Sequence, residues 1–198
     1  MDPSRVAFID HALESLTCLV AASSGQVLGY GVLEYSFFSV DSFRDGCTVA
    51  VPGCGLGHDA AWLAARGFQA TGLDLVPEAL DRARAVYGEP PAWRVGDWLA
   101  GAHGPFEAIL DHTFFVALHP DQRPEVVAAH ARNLLPGGFW LGIFYHRVRQ
   151  PGIRPWAVQP EELRALAEPF FEVLDLQSAR TSHPRRLGRE CWMVARRR

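Results

Sequence analysis

The stretch VAVPGCGLGHDAAWLAARG, residues 49–67, sets an apolar run against a glycine cluster and continues into a helical pattern. The apolar run reads as a buried strand, and Asp59 to Arg66, stopped by Gly67, reads as a helix. Between them Gly53, Gly55 and Gly57 occupy alternate positions. Glycines in a strand-to-helix turn let the backbone come close to a bound group. Taken alone, Gly53 and Gly55 would equally serve a tight turn.

Strand and helix alternate outward from this turn. ATGLDL (70–75) is a second strand. Pro77 opens a helix with Val76, Leu80, Ala83 and Tyr87 on its apolar face and Gly88 as its stop. AWRV (92–95) is a third strand, and a fourth lies within FEAILDHTFF (106–115). Residues 121–135 are helical until Pro136-Gly137-Gly138 breaks the pattern. FWLGIFY (139–145) is a fifth strand, and Pro160 opens a helix to about Ala167. FFEVLDL (170–176) and CWMVARR (191–197) are two last strands with only a loop between them, so they should pair antiparallel. Continuous apolar strands alternating with helices indicate a sheet covered on both faces. The expected fold is α/β: a doubly wound, Rossmann-like, seven-stranded, mostly parallel sheet ending in a C-terminal antiparallel hairpin. Ahead of it, Val6, Ile9, Leu13, Leu16 and Val20 recur at helical spacing, and residues 26–46 read as a loop with short helical pieces. The chain is expected to be one domain, with 1–46 as an N-terminal helix and active-site cover and 47–198 as the core.

With 198 residues the chain holds one full core and little more. A formal charge of −3 and the absence of a basic face argue against nucleic acid, and Arg196-Arg197-Arg198 reads as a solvated tail. Cys18, Cys47, Cys54 and Cys191 show no CxxC or Cys/His ligand spacing. That argues against a metal site or a disulfide framework and suits a reducing, cytoplasmic setting. Asp2, Asp10 and Glu14 stand where a secretory signal needs positive charge. No run approaches the roughly 18 apolar residues of a membrane span.

In doubly wound sheets, ligands bind at the carboxyl ends of the strands. Pro52, Gly53, Cys54, Gly55 and Gly57 stand at one such end. Asp74 and Leu75 close the second strand, where an acid accepts hydrogen bonds from ribose hydroxyls. Asp97 and Trp98 follow the third, with a helix cap and a core tryptophan as their plainer alternatives. The dinucleotide fingerprint G-x-G-x-x-G fits poorly, because position 58 is His.

Three features resemble class I S-adenosylmethionine-dependent methyltransferases: the glycine turn Pro52-Gly53-Cys54-Gly55-Leu56-Gly57, similar to their looser E/D/P-x-G-x-G-x-G turn, Gly96-Asp97-Trp98, and Leu134-Leu135-Pro136-Gly137-Gly138. VPGCGLGHD and LDHTFFVALHPDQRP (110–124) are similar, more specifically, to the thiopurine and thiol/halide methyltransferase family. The resemblance covers residues 47–178. It implies S-adenosyl-L-methionine as cofactor, S-adenosyl-L-homocysteine as product, and a small-molecule acceptor, first of all a thiol sulfur. It also implies that the glycine turn, Asp74, Leu75, Asp97, Trp98 and Asp111 contact the cofactor. The chain departs from the family at His112, where tyrosine is common. It also has no tryptophan before Trp62, and it carries HRVRQPGIRPW after the fifth strand.

Asp111 and His112 end the fourth strand and are the candidate catalytic pair. His112 would take a proton, orient a thiolate or stabilise it as imidazolium, its alternative being a histidine bonded to backbone. Tyr35, Phe37, Phe38, His112, Phe115, His146, Arg147 and Trp156 are the candidate acceptor-site residues. His146 and Arg147 also suit a solvated loop, and Trp156 a loop anchor. Acceptors other than thiols, namely halide, tellurium or selenium species, oxygen and nitrogen, remain open. So do a nicotinamide-dependent oxidoreductase and a non-catalytic partner-binding domain. Neither nucleic acid nor membrane is expected as a partner, and the chain would act as a monomer or homodimer.

Overall fold

The apolar run of the glycine stretch is the strand β5 (Thr48–Pro52), buried from Val49 onward, and the strand sits in the middle of the sheet. In this computed structural model the described residues are 46–179, 182 and 186–198, with the backbone of four short strands ahead of them. Those strands are β1 (Leu16–Leu19), β2 (Ala22–Ser23), β3 (Gln26–Val27) and β4 (Val32–Tyr35). β1 pairs antiparallel with β4, and β2 with β3. The helix expected through Leu16 and the loop expected around 32–35 are therefore corrected. Helical spacing at Leu16 yields to a ladder with Val32–Tyr35, a non-local pairing that spacing cannot report. The rest of the expected N-terminal helix lies outside the described residues.

After β5 come α1 (His58–Ala64), β6 (Gln69–Asp74), α2 (Pro77–Tyr87), β7 (Ala92–Val95) and β8 (Phe106–His112). Then follow α3 (Phe114–Ala117), α4 (Arg123–Asn133), β9 (Leu134–Tyr145), α5 (Pro160–Ala167), β10 (Phe171–Ser178) and β11 (Glu190–Arg197). Seven strands form one sheet in the order β10-β11-β9-β8-β5-β6-β7. The pairings from β9 across to β7 are parallel, whereas β11 runs antiparallel to both its neighbours. This is the expected doubly wound sheet with its C-terminal hairpin. The strand order reverses between β5 and β8, and in doubly wound sheets the ligand crevice lies at the carboxyl ends of the strands at such a switch point.

Side-chain alternation divides the core. Val49, Val51, Ala108, Leu110 and Ile143 meet Ala60 and Leu63 of α1 and Leu80 and Ala83 of α2. Ala50, Ile109, Trp140 and Phe144 meet Val126 and Val127 of α4 and Leu163 and Ala167 of α5. Each large apolar side chain buried this way contributes about 1.5–3 kcal/mol before conformational entropy is counted. Two expectations for α2 are corrected: Val76 and Tyr87 are 49% and 36% exposed, so its apolar face narrows to Leu80 and Ala83. The fifth core strand begins at Leu134, not 139. Leu134 pairs with Phe106, and the ladder shifts register before Ala108–Phe139, which absorbs the Pro-Gly-Gly within the strand.

Candidate active site

The turn after β5 spends most of its donors inside the protein. Cys54 N–H bonds the Leu73 carbonyl at 3.1 Å, and Gly57 N–H bonds the Cys54 carbonyl at 2.9 Å. Gly55 N–H donates to Asp74 Oδ2 at 2.8 Å, while Asp74 Oδ1 accepts the Val76 N–H at 3.0 Å. Asp74 thus ties the glycine turn to the start of α2, and each carboxylate oxygen keeps a second lone pair. Gly55 has φ +53, and a Cβ there would meet nothing within 4 Å. Gly53 is the opposite case: a Cβ would stand 2.5 Å from Phe114 Cδ2. The Cys54 thiol is packed against β6, and burial, with the Asp74 charge, pushes its pKa up to about 12. It is therefore no nucleophile.

His112 lies on the α1 face of β8, at the crevice. Its Nδ1 is 3.0 Å from Asp59 Oδ2, in the first turn of α1, and its side chain is 8% exposed. Arg186 Nη1 faces its Nε2 at 3.3 Å and Glu190 Oε1 at 3.4 Å. A guanidinium only donates, so in this arrangement Nε2 presents a lone pair and Nδ1 carries the proton to Asp59. Burial pulls the His112 pKa down. The charge and hydrogen bond of Asp59, joined by Glu190, outweigh burial and the opposing Arg186, and the net shift is upward. The ring is poised between a neutral form that accepts from Arg186 and an imidazolium that Arg186 must leave. His146, one residue past β9, has the contrary environment: burial and the Arg147 charge lower its pKa. Its Nε2 is buried without a partner, and its N–H bonds the Arg189 carbonyl at 3.0 Å.

The other expected site residues have varied surroundings. Asp111 directly precedes His112 on β8, so it faces the opposite side of the sheet, and it is fully buried. Its Oδ2 accepts from His130 Nε2 and its Oδ1 from the Phe115 N–H. Trp98 is 2% exposed and packs in the core beside Phe106. Phe115 is fully buried against Trp140 and Phe144, because α3 begins at Phe114 and turns the next side chain inward. Trp156 is half-buried, edge-on to His119, and its N–H bonds the Val116 carbonyl at 2.7 Å. Asp97 is exposed with Oδ1 on the Leu99 N–H, Arg147 is exposed, and Pro52 is buried at the end of β5. The Tyr35 side chain, Phe37 and Phe38 lie outside the described residues. Asp59, Arg186 and Glu190 were not legible as site residues. Asp59 reads as a helix-start acid, and Arg186 and Glu190 sit in a hairpin whose pairing brings them to His112.

Residues 49–138 match the family model described as a methyltransferase domain. The fold resembles the TehB-like S-adenosylmethionine-dependent methyltransferase from Corynebacterium glutamicum, with a TM-score of 0.65 at 20% identity over 80% of this chain and 85% of that one. Thiopurine S-methyltransferase of Azotobacter vinelandii is 31% identical over 156 residues, covering 67% of this chain and 70% of that protein. Thiocyanate methyltransferase 1 of Arabidopsis thaliana is 27% identical over 154 residues, and the match spans 65% of its length. The architecture and the glycine turn are those of class I methyltransferases. Within that class the chain belongs to the thiopurine S-methyltransferase family.

Proposed function

We propose that the protein transfers a methyl group from S-adenosylmethionine to the sulfur of a small acceptor that reacts as an anion. The carrying observation is His112, held by Asp59 and faced by Arg186, beside the glycine turn at the switch point. The turn's residues fit the cofactor. Gly55 borders open space, Asp74 offers oxygens suited to a ribose diol, and exposed Leu75 and Val95 at the ends of β6 and β7 offer apolar surface to adenine. When bound, S-adenosylmethionine supplies a sulfonium methyl already activated for displacement, so positioning and exclusion of water are what the protein adds.

Arg186 and His112 recognise the acceptor's negative charge. An anion between an imidazolium N–H and the guanidinium turns a repulsive contact into two charge-assisted hydrogen bonds. His146 stays neutral near pH 7 and takes the proton of an acceptor that arrives as a thiol.

The test is turnover of S-adenosylmethionine with thiocyanate, an aromatic thiol, iodide and a phenol, alongside thermal shift with S-adenosylhomocysteine. At about 100 times its dissociation constant that ligand stabilises the native state by roughly 2.7 kcal/mol. Methylation of the sulfur acceptors is expected. Turnover of the phenol alone would replace sulfur by oxygen, and the absence of any adenosyl-dependent shift would overturn the cofactor assignment.

A further inference from the structure

Trp98, His130 and Asp111 form a buried hydrogen-bond chain that the proposed reaction leaves unused. Trp98 Nε1 lies 2.8 Å from His130 Nδ1, and His130 Nε2 lies 3.0 Å from Asp111 Oδ2. Asp111 Oδ1 accepts the Phe115 N–H at 3.1 Å. None of the four residues is more than 2% exposed. The polarity of the chain is forced. An indole N–H can only donate, so His130 Nδ1 carries the lone pair and Nε2 carries the proton toward the carboxylate. Reversing the imidazole would set two donors against each other among fully buried groups.

The chain ends on the turn between β8 and α3. Thr113 there has φ 65, the one non-glycine residue with positive φ among the described residues. A β-branched residue held left-handed costs about 1–2 kcal/mol and persists only where its surroundings over-determine it. Asp111 closes the turn over Thr113 by taking the Phe115 N–H, and the Thr113 N–H bonds the Ile143 carbonyl at 3.1 Å. The outcome is the placement of Phe114. One part of its ring fills the space a Cβ would need at Gly53. The ring also stacks on His130, at 6.3 Å between centroids and 19° between planes. His130 therefore touches both the carboxylate that closes the turn and the ring that supports the glycine loop.

We propose that Trp98 and His130 are positioning residues for the cofactor loop, acting through Asp111 and Phe114 on Gly53. The inference rests on the S-adenosylmethionine assignment of that loop. An all-apolar core at these positions would avoid desolvating three polar groups. The polar chain instead selects one imidazole orientation and one side of Asp111, and so one seat for Phe114.

The experiment uses the full chain and the variants His130→Leu, His130→Gln and Trp98→Phe. Glutamine can accept from Trp98 through Oε1 and donate to Asp111 through Nε2, keeping the polarity. Affinity for S-adenosylhomocysteine is measured by calorimetry well below each variant's melting temperature, so that only folded protein is compared. His130→Leu is expected to weaken binding by about tenfold, with Trp98→Phe showing a smaller loss and His130→Gln returning most of it. Variants that melt earlier but bind within about twofold of the parent overturn the proposal, because packing alone accounts for that result. If His130→Leu does not fold, Trp98→Phe decides by the same criterion, since it keeps an aromatic ring in the core. A parent protein that does not bind S-adenosylhomocysteine overturns the assignment of the loop and this inference together. A parent that binds, beside variants that bind equally, overturns the inference alone.

Discussion

His112 and Asp59 come from elements far apart in sequence, the end of β8 and the first turn of α1, and meet with Nδ1 3.0 Å from Oδ2. The contact ties the end of β8 to the helix that follows β5, across the switch point. It raises the His112 pKa above its ordinary 6.5 even though burial opposes the charge. Because the folded value is raised, the stability it contributes is fully present below about pH 6.5 and is lost as the pH rises through the folded value. An NMR titration of the imidazole should find its midpoint above 6.5. Asp59→Asn should move it down, and Arg186→Met should move it further up. A midpoint at or below 6.5 in the parent would contradict the balance of charges described.

Gly53 and Gly55 separate packing from ligand space. Gly55→Ala places a methyl in open space at a φ of +53, so its cost is left-handed backbone strain of about 1–2 kcal/mol. At roughly 2–4 °C per kcal/mol its melting temperature should fall only modestly, while S-adenosylhomocysteine affinity falls at least about tenfold. Gly53→Ala drives a methyl into Phe114, and overpacking of that kind costs about 1–3 kcal/mol beyond the strain. Calorimetric melting and ligand titration of the pair should show the larger stability loss at Gly53.

In the proposed reaction Arg186 would sort acceptors by charge. Arg186→Met should raise KM for thiocyanate by about 10- to 100-fold, in keeping with the loss of a charge-assisted contact of about 1.5–3 kcal/mol. The melting response to S-adenosylhomocysteine should stay at the parent value, because Arg186 contacts His112 and Glu190 and not the glycine turn. Steady-state kinetics with thiocyanate, combined with that melting response, checks both halves.

His146 sorts acceptors by proton. In the proposed reaction its lowered pKa and unpartnered Nε2 suit it to take a proton from a thiol, whereas thiocyanate brings no proton. His146→Ala should slow an aromatic thiol by about a hundredfold at a pH below that thiol's pKa and leave thiocyanate nearly unchanged. The thiol defect should vanish as the pH rises and the acceptor ionises by itself. Rate profiles for the two acceptors across pH 6–9 make the comparison.

Local pattern was sufficient for the sheet and its helices. The apolar runs at 48–51 and 70–75, the glycines between strand and helix, and the short hairpin loop before 191–197 each carry their own periodicity or turn chemistry. Those features led to the class of fold and to Asp74 at the mouth of the glycine turn. What lay outside them was decided by contacts between distant segments. Asp111 and His112 are neighbours in sequence, yet the pleat sends one into a sealed hydrogen-bond chain and the other to the crevice. Trp98 reads as a residue following a strand, yet its indole N–H reaches into the core to His130 on α4, the partner a buried N–H requires. Arg186 and Glu190 reach His112 only because β11 runs antiparallel beside β9. The sequence by itself determined the strands, the helices and the glycine turn, since those follow from backbone conformation and the burial period. Tertiary structure decided which acids and bases face each other, since that depends on strand order, pleat direction and hairpin pairing.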